Sequence, residues 1–372
     1  MAKRVMVALS GGVDSSIALL RLRDRGCDVA GVTMSFGRYS AANAAGGGEE
    51  DGGGEDARRL CERLGIPHYL FDFSEHLHRH VLENFTSEYL AGRTPNPCVR
   101  CNRFLKFGAL LRIARDRGYA FLATGHYARI RQGPDGPLLC RARDSSKDQS
   151  YFLYAVPRRI LESVIFPLGE MTKEQVRTEA RNRELAAVDR SESQDICFLA
   201  GGEGYREFLG GEAHREGDML DSEGQVIGRH RGVANYTVGQ RRGLGIAAGK
   251  RLFVTAIDRR RNTVTVGTRE NLASRGLSAG KVNLLVGRLP SRCTARIRYR
   301  HDPVACEAAV DDDRLIVRFD TPQYAVTPGQ SVVLYDNDVV LGGGVIEEHS
   351  PRKAGLTESS SRPANLPSED CQ

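Results

Sequence analysis

Alternating apolar and polar segments over residues 1–200 predict alternating strands and helices. Apolar side chains at Val5, Val7 and Leu9 predict a buried strand, and those from Ile17 to Leu22 predict a helix that stops near Gly26. Further strands are predicted at 28–34, 68–73 and 120–124, a hairpin at 127–143, and helices at 56–64, 75–90, 104–117 and 173–184. This order predicts an α/β domain with a mostly parallel sheet and helices on both faces.

The pattern changes near residue 200 to short strands and turns. It predicts a small central domain at 201–279 and an all-β unit at 280–349, interpreted as a β-barrel. A Gly- and Ala-rich stretch at 37–54 is predicted to be a flexible surface insertion, and the polar tail at 350–372 is predicted to be disordered.

Between the first strand and the first helix lies the sequence Ser10-Gly11-Gly12-Val13-Asp14-Ser15-Ser16. A strand, a glycine turn and a helix start aim backbone N–H groups and the positive helix end at one point, which predicts an anion site, most simply for phosphate. Asp14 would hold a metal ion or fix the loop. The stretch lacks the Gly-Lys-Ser/Thr ending of a Walker A loop and the spacing of a dinucleotide-binding loop. The alternative is a tight turn without a ligand.

Nine cysteines, in a chain with no recognisable export signal, favour free thiols over a disulfide framework. Two prolines precede Cys98 and Cys101, so both are predicted to lie on a loop before the helix at 104–117. Arg100 and Arg103 beside them should lower the thiol pKa values, which makes the pair candidates for a nucleophile or for metal ligands. A buried structural pair is the alternative. Cys197 lies between apolar residues, and packing or reactivity both remain open.

The net charge is +6, and the basic residues are unevenly placed. Residues 226–251 and 281–300 each contain six Lys or Arg and no acidic residue. Such stretches either bind a polyanion such as RNA or form a solvated basic face. The Gly- and Arg-rich loop at 235–245 could contact phosphate or stack on a base. No apolar run approaches the length of a membrane span, so a cytoplasmic protein without a membrane partner is predicted.

The loop at 10–16 resembles the PP-loop of the ATP pyrophosphatases. Together with segments 92–102, 125–127, 147–153, 193–198 and 235–245 in this order, it makes the chain from about residue 3 to 348 similar to the tRNA-specific 2-thiouridylase (MnmA) family. The resemblance implies an adenine nucleotide alpha hydrolase-like (PP-loop) domain, a small central domain and a C-terminal β-barrel. It also implies that ATP with Mg²⁺ adenylates the C2 oxygen of the wobble uridine in a tRNA anticodon arm, that sulfur replaces this oxygen, and that AMP and pyrophosphate are released. Reaching C2 requires the base to leave its stack.

The resemblance also assigns residues. ATP binding falls to Ala8, Leu9, Ser10, Gly11, Gly12, Val13, Asp14, Ser15, Met34 and Gly125. Contact with tRNA falls to Asn96, Pro97, His126, Lys147, Asp148, Gln149, Arg298, Tyr299 and Gln330. Cys101 matches the nucleophile, and Cys197 matches the cysteine that carries a persulfide. A persulfide-donating sulfur-relay protein or a cysteine desulfurase is the implied partner.

Cys98 departs from the family pattern, because many members have Asp there. Two mechanisms therefore remain open. In the first, Cys197 persulfide delivers sulfur and Cys101 releases it, with a disulfide formed between them. In the second, slightly favoured by the Cys98-x-x-Cys101 pattern, Cys98, Cys101 and Cys197 ligate a 4Fe–4S cluster whose free iron binds sulfide. Both expect the thiols to meet beside the nucleotide. Rival functions are another PP-loop enzyme that forms AMP, a tRNA-thiolating enzyme acting at a different position, and a non-enzymatic RNA-binding module.

Overall fold

A five-stranded, wholly parallel sheet organises the first part of the chain, in the strand order β3-β2-β1-β4-β7. The structure is a computed structural model that describes residues 2–37, 52–185, 211–246, 249 and 251–349. The strands of this part are β1 (Arg4–Ala8), β2 (Asp28–Ser35), β3 (His68–Asp72), β4 (Phe121–Thr124), β5 (Ala128–Gly133), β6 (Gly136–Arg141) and β7 (Val164–Ile165).

Five helices accompany this sheet. They are α1 (Val13–Asp24), α2 (Gly52–Leu64), α3 (Ser74–Leu77, π-helical His78–Leu82, Glu83–Leu90), α4 (Pro97–Arg100, π-helical Cys101–Leu110, Leu111–Asp116) and α5 (Lys173–Asn182). Thr172 and Gln175 form a reciprocal capping box at the start of α5, as the Thr-x-x-Gln spacing predicts.

Side chains on β1 explain the layer arrangement. Val5, Met6 and Val7 are fully buried, but Met6 packs into one core and its two neighbours pack into another. Successive residues of a strand point to opposite faces. Since α1, α2 and α5 contribute to the core with Val5 and Val7, and α3 and α4 contribute to the core with Met6, the sheet has helices on both faces. The predicted α/β class is confirmed.

The middle of the chain forms a four-stranded sheet in the order β10-β11-β8-β9. Its strands are β8 (Gly217–Leu220), β9 (Val226–His230), β10 (Phe253–Asp258) and β11 (Thr263–Gly267). The predicted turns at 221–224 and 259–262 connect two strand pairs of this sheet.

The C-terminal part is a closed, antiparallel, six-stranded barrel. Its strands are β12 (Ala273–Leu284), β13 (Arg292–Arg296), β14 (Val304–Asp311), β15 (Arg314–Tyr324), β16 (Ser331–Asp336) and β17 (Val339–His349). Pairing runs β12-β15-β14-β13-β16-β17, and β17 pairs again with β12. The predicted barrel is confirmed. Its predicted start at residue 280 falls within β12, because the small residues at 276–280 give this strand no clear apolar alternation.

The predicted hairpin at 127–143 is present as β5 and β6, but it has a second role. Cys140 on β6 pairs with Val339 on β17, and the Arg129 guanidinium lies 2.7 Å from the Asp338 carboxylate. The hairpin therefore extends the barrel sheet to eight strands and joins the first domain to the last.

Two local predictions are wrong. Cys98 and Cys101 do not lie on a loop, because α4 begins at Pro97, seven residues before the predicted start. Proline is well suited to the first position of a helix, where its missing N–H has no intrahelical acceptor. The sequence of residues 144–153 also predicts an apolar helix with Lys147, Asp148 and Gln149 at its start, but the segment contains only a 3₁₀ turn at Ser150–Phe152.

Several predictions lie outside the described residues. They concern Cys197, most of the insertion at 37–54 and the tail at 350–372. In the part of the chain that the structure describes, no helix is long and apolar enough to cross a membrane.

Candidate active site

The loop between β1 and α1 is fixed by its own hydroxyl groups. The Ser10 N–H donates to Ser15 Oγ at 3.2 Å, and both Ser15 Oγ (3.1 Å) and Ser16 Oγ (3.0 Å) donate to the carbonyl of Gly12. Gly11 has a φ of +71°, which favours glycine. Gly12 is the N-cap of α1, and no described side chain caps the helix there. The first N–H groups of α1 are therefore suited to bind an anion.

Gly125, at the end of the neighbouring strand, packs closely against this loop. It follows β4, which pairs directly with β1, and a Cβ at Gly125 would lie 2.8 Å from Ser15 N and 2.9 Å from Asp14 C. Since β2 and β4 flank β1 on opposite sides, the loop lies where the strand order reverses, at the carboxyl ends of the strands. Ligands of open α/β sheets bind at such positions.

Replacing Gly125 with alanine is expected to raise the KM for ATP by about tenfold or more, because the added methyl group pushes the Asp14–Ser15 backbone out of place. ATP titration of pyrophosphate release measures this effect. Gly211→Ala is the matched control, since a Cβ at Gly211 meets nothing within 4 Å. Equal KM values for the two variants would contradict the prediction.

Asp14 is held by two residues that the sequence analysis did not select. Lys173 Nζ lies 2.8 Å from both Asp14 carboxylate oxygens, and the Tyr127 hydroxyl donates to Asp14 Oδ1 at 2.8 Å. Gln149 fixes Tyr127 in turn, because its Oε1 accepts from the Tyr127 N–H and its backbone N–H donates to the Tyr127 carbonyl. Asp144 Oδ2 accepts the backbone N–H of Lys173 at 2.9 Å. Asp14 therefore fixes the loop through a lysine at the start of α5.

Cys98 and Cys101 occupy the first turns of α4 and are half-buried. Residues three apart lie on the same helix face, so both thiols share one side of α4. The Arg100 guanidinium donates to the carbonyl of His80 at 2.5 Å and lies 4.9 Å from the centre of the Phe104 ring. Arg100 is thus engaged by α3 and by its own helix. The predicted lowering of the thiol pKa values stays a prediction.

The π-helical part of α4 begins at Cys101 itself. A Cβ at Gly108 would lie 2.9 Å from the carbonyl oxygen of Arg103, five residues earlier, so the wide turn requires glycine there. Asn102 is 2% exposed, and its amide nitrogen donates to the Phe152 carbonyl at 3.1 Å, whereas its Oδ1 has no partner among the described residues. Segments of π-helix inside α-helices are frequent at functional sites.

The segment that leads into α4 is anchored on the barrel. Gln330 Nε2 donates to the carbonyls of Thr94 (3.0 Å) and Pro95 (3.2 Å), and the Thr94 N–H donates to the carbonyl of Pro328 at 2.9 Å. A Cβ at Gly329 would lie 2.8 Å from Thr94 O, so only glycine permits this approach. The barrel therefore positions the beginning of the cysteine helix.

Arg298 joins the barrel to the central domain. Its Nη2 donates to the carbonyl of Ala325 at 2.6 Å and to Thr327 Oγ1 at 2.9 Å, and it lies 3.4 Å from the carbonyl of Val238. Burial lowers the pKa of Arg298. The neighbouring Tyr299 ring packs on Phe152 with centroids 4.5 Å apart. Arg298 therefore contacts the central domain, whereas Tyr299 contacts the first domain.

Asp148 is the most enclosed of the residues predicted to contact tRNA. It is 2% exposed, and its carboxylate accepts from Arg296 Nη1 (3.0 Å), Ser150 Oγ (3.0 Å) and the Ala142 N–H (3.1 Å). The side chain therefore ties the first domain to the barrel.

His126 is also buried, with Nδ1 2.7 Å from Thr124 Oγ1, and burial lowers its pKa well below the ordinary value. The ring is therefore neutral at pH 7. In this structure His126, Asp148, Gln149, Arg298 and Gln330 all make bonds within the protein, and their contacts with tRNA stay predictions.

All ten residues predicted to bind ATP lie at one edge of the parallel sheet. Residues 8–15, Met34 at the end of β2 and Gly125 after β4 lie at the carboxyl ends of three adjacent strands. The second basic stretch, in contrast, is partly used within the protein, because Arg292 pairs with Asp320 and Arg296 pairs with Asp148. The meeting of Cys101 with Cys197 is not tested, since Cys197 lies outside the described residues.

A parallel sheet with this serine- and glycine-rich turn at its switch point defines an α/β nucleotide-binding enzyme of the PP-loop class. Family models cover nearly the whole chain: a tRNA methyl transferase HUP domain at residues 3–201, a tRNA methyl transferase PRC-barrel domain at 206–268 and an aminomethyltransferase beta-barrel domain at 274–346.

The chain is 48% identical over 351 residues to the tRNA-specific 2-thiouridylase MnmA 1 of Syntrophus aciditrophicus (strain SB), with 94% of each chain covered. It is 46% identical to the MnmA of Roseiflexus sp. (strain RS-1), covering 93% of this chain and 99% of that protein. It is also 46% identical to the MnmA of Geobacter metallireducens, covering 93% of this chain and 97% of that protein. The chain belongs to the tRNA-specific 2-thiouridylase (MnmA) family.

Proposed function

We propose that this protein replaces the C2 oxygen of the wobble uridine of tRNA with sulfur in an ATP-dependent reaction. One observation carries the proposal: the glycine-rich loop at residues 10–16 (the phosphate loop) and the first turns of α4 (the cysteine helix) lie at the same edge of the sheet. The loop follows the carboxyl end of β1. Helix α4 leads into β4, which is parallel to β1, so the Cys98–Cys101 end of α4 lies toward the carboxyl edge.

The loop is suited to the first half of the reaction. The N–H groups at the start of α1 bind the β- and γ-phosphates of ATP, and Lys173 places a cation beside Asp14 in the loop. The uridine C2 oxygen attacks the α-phosphorus and pyrophosphate leaves. A poor leaving group is thereby converted into AMP.

The thiols serve the second half. The terminal sulfur of a Cys197 persulfide attacks C2 and AMP leaves. The Cys101 thiolate then attacks the inner sulfur of Cys197 and breaks its bond to the transferred sulfur, which gives a Cys101–Cys197 disulfide and 2-thiouridine. A reductant restores the two thiols, and a sulfur-relay protein or a cysteine desulfurase restores the persulfide.

A 4Fe–4S cluster is the second mechanism, and the described residues supply part of its donor set. Cys98 and Cys101 share one face of α4, but no third Cys, His, Asp or Glu joins them within the described ranges. Cys197 would complete the three thiolates. When bound, such a cluster would supply an iron that holds sulfide. Cys98 and Cys101 would hold this group in place, and the phosphate loop acts as in the first mechanism.

The junction at the start of α4 is the proposed binding surface for the anticodon arm. Asn96 and Pro97 begin the helix, and Lys147, Arg298, Tyr299 and Gln330 belong to the same proposed surface. Asp148 and His126 act there from below the surface, as positioning residues. The cytoplasmic location stays a prediction.

Nucleoside analysis of tRNA tests the proposal. Unmodified tRNA is incubated with the protein, ATP, Mg²⁺ and either a persulfide donor or sulfide, with and without oxygen, and 2-thiouridine is quantified. Product is expected from the natural chain and from the control Cys27→Ser, but not from Cys101→Ser or Cys197→Ser. Absence of product under every condition contradicts the proposal. Pyrophosphate release without 2-thiouridine, in the natural chain and in both cysteine variants alike, favours a different AMP-forming enzyme.

The variant Cys98→Asp separates the two mechanisms. The persulfide mechanism uses Cys101 and Cys197, so this variant should keep its activity. The cluster mechanism needs Cys98, so the variant should lose both bound iron and activity. Iron analysis after anaerobic purification decides between them, and an active, iron-free natural protein ends the cluster version.

A further inference from the structure

Two cysteines far along the chain from the cysteine helix lie directly opposite each other in the barrel. Cys293 on β13 and Cys306 on β14 are paired residues in the antiparallel register, and their sulfur atoms are 3.7 Å apart. Directly opposed residues of antiparallel strands have Cα atoms about 4.5–5.5 Å apart, within the range of about 4.4–6.8 Å that a disulfide spans. Sulfurs at this separation reach bonding distance by small side-chain rotations.

The two thiols are in different surroundings. Cys306 is fully buried in the barrel core, whereas Cys293 is half-buried at the edge of the same core. The hydrogen bond with Cys306 lowers the pKa of Cys293, and the same bond together with burial raises the pKa of Cys306. The less buried thiol is thus the one with more thiolate character, which is the form that attacks disulfides.

We propose that Cys293 and Cys306 form a thiol–disulfide exchange site that reacts with low-molecular-weight disulfides. The Cys293 thiolate attacks one sulfur of the disulfide and releases the other half as a thiolate, which leaves a mixed disulfide on Cys293. Cys306 then attacks Cys293 Sγ and expels the second half, which takes up the Cys306 proton and leaves as a thiol. The two cysteines are oxidised to a cross-strand disulfide, and one small disulfide is reduced to two thiols.

This site is independent of the sulfur-transfer cysteines. It belongs to the barrel, whereas Cys98 and Cys101 belong to α4 in the first domain. The proposed sulfur-transfer site already forms a persulfide and a disulfide. The pair in the barrel would be a second dithiol, which reacts with the same small oxidants.

Peptide mapping of the full-length protein tests the proposal. The protein is treated with glutathione disulfide, blocked with N-ethylmaleimide and cleaved with trypsin without reduction. Peptide 293–296 should be found linked to peptide 301–314, with loss of the two alkylated forms, and dithiothreitol should restore both. Continued alkylation of both cysteines after the oxidant overturns the proposal.

Single variants test the order of attack. In Cys306→Ala the resolving thiol is absent, so glutathione should accumulate on Cys293, well above its level on Cys27, a half-buried thiol that serves as the internal control. In Cys293→Ala, Cys306 should stay unmodified, because it is buried. Glutathione on Cys306 in this variant, or equal labelling of Cys293 and Cys27 in the first, would overturn the assignment. The linked peptide of the natural chain decides the matter even where a variant fails to fold.

Discussion

Replacing Lys173 with methionine is expected to lower kcat/KM for ATP by about 10²-fold or more, a typical cost of removing one preorganised hydrogen-bond donor from an active site. Methionine keeps the apolar stem but removes the ammonium that lies 2.8 Å from both oxygens of Asp14. Asp14 would then keep the Tyr127 hydroxyl but lose this cation, and its negative charge would repel the phosphates of ATP. Pyrophosphate release at varied ATP concentration measures the loss.

The neighbouring Glu174→Gln is the matched control, because Glu174 is exposed on the same turn of α5. A second comparison isolates the pair: in the double variant Asp14→Asn with Lys173→Met, the unpaired carboxylate is gone, so the losses should not add. A Lys173→Met enzyme with unchanged kinetics would contradict the role given to this lysine.

Replacing Asp148 with alanine is expected to lower the free energy of unfolding by about 3–5 kcal/mol, the usual cost of leaving a buried charge without its partner. The Asp148 side chain is 0% exposed, and that of Arg296 is 8% exposed, at an N–O distance of 3.0 Å. Alanine would leave the Arg296 guanidinium buried without this carboxylate. Urea unfolding followed by tyrosine fluorescence is a suitable measurement, because the chain has 12 tyrosines and no tryptophan.

Asp320→Ala provides the comparison within the same barrel. Asp320 pairs with Arg292 at a similar distance of 2.7 Å, but the two side chains are 40% and 58% exposed. Exposed pairs contribute about 0–1 kcal/mol, so this variant should unfold almost as the natural protein does. Equal destabilisation by the two substitutions would show that burial does not decide the strength of the Asp148 pair.

The first strand, the glycine loop and the first helix could be predicted from sequence because the signals are local. Apolar residues, glycines and the helix start lie within about 25 consecutive positions, and the capping box of α5 spans only four. The prediction fails where one residue type is compatible with two structures. The prolines before Cys98 predict a loop, but proline also fits the first turn of a helix, and Pro97 begins α4.

The remaining parts of the site depend on long-range contacts. Lys173 reaches Asp14 across 159 positions, and Gln330 reaches Thr94 across 236. A lysine in a first helical turn is ordinary in sequence, so nothing local marks it as a partner of the loop. The pairing of β6 with β17 likewise depends on how the domains pack, and the sequence of neither strand indicates it.

Because β5 and β6 extend the barrel sheet, a fragment of this protein without the barrel is expected to expose a strand edge. A polypeptide that ends before β12 would keep the hairpin but lose β17, and the side of β6 that now faces Val339 would present unpaired N–H and C=O groups to solvent. Such uncovered strands recruit other chains. A truncated nucleotide-binding fragment should therefore self-associate, and the ATP chemistry of this enzyme is best studied with the barrel attached.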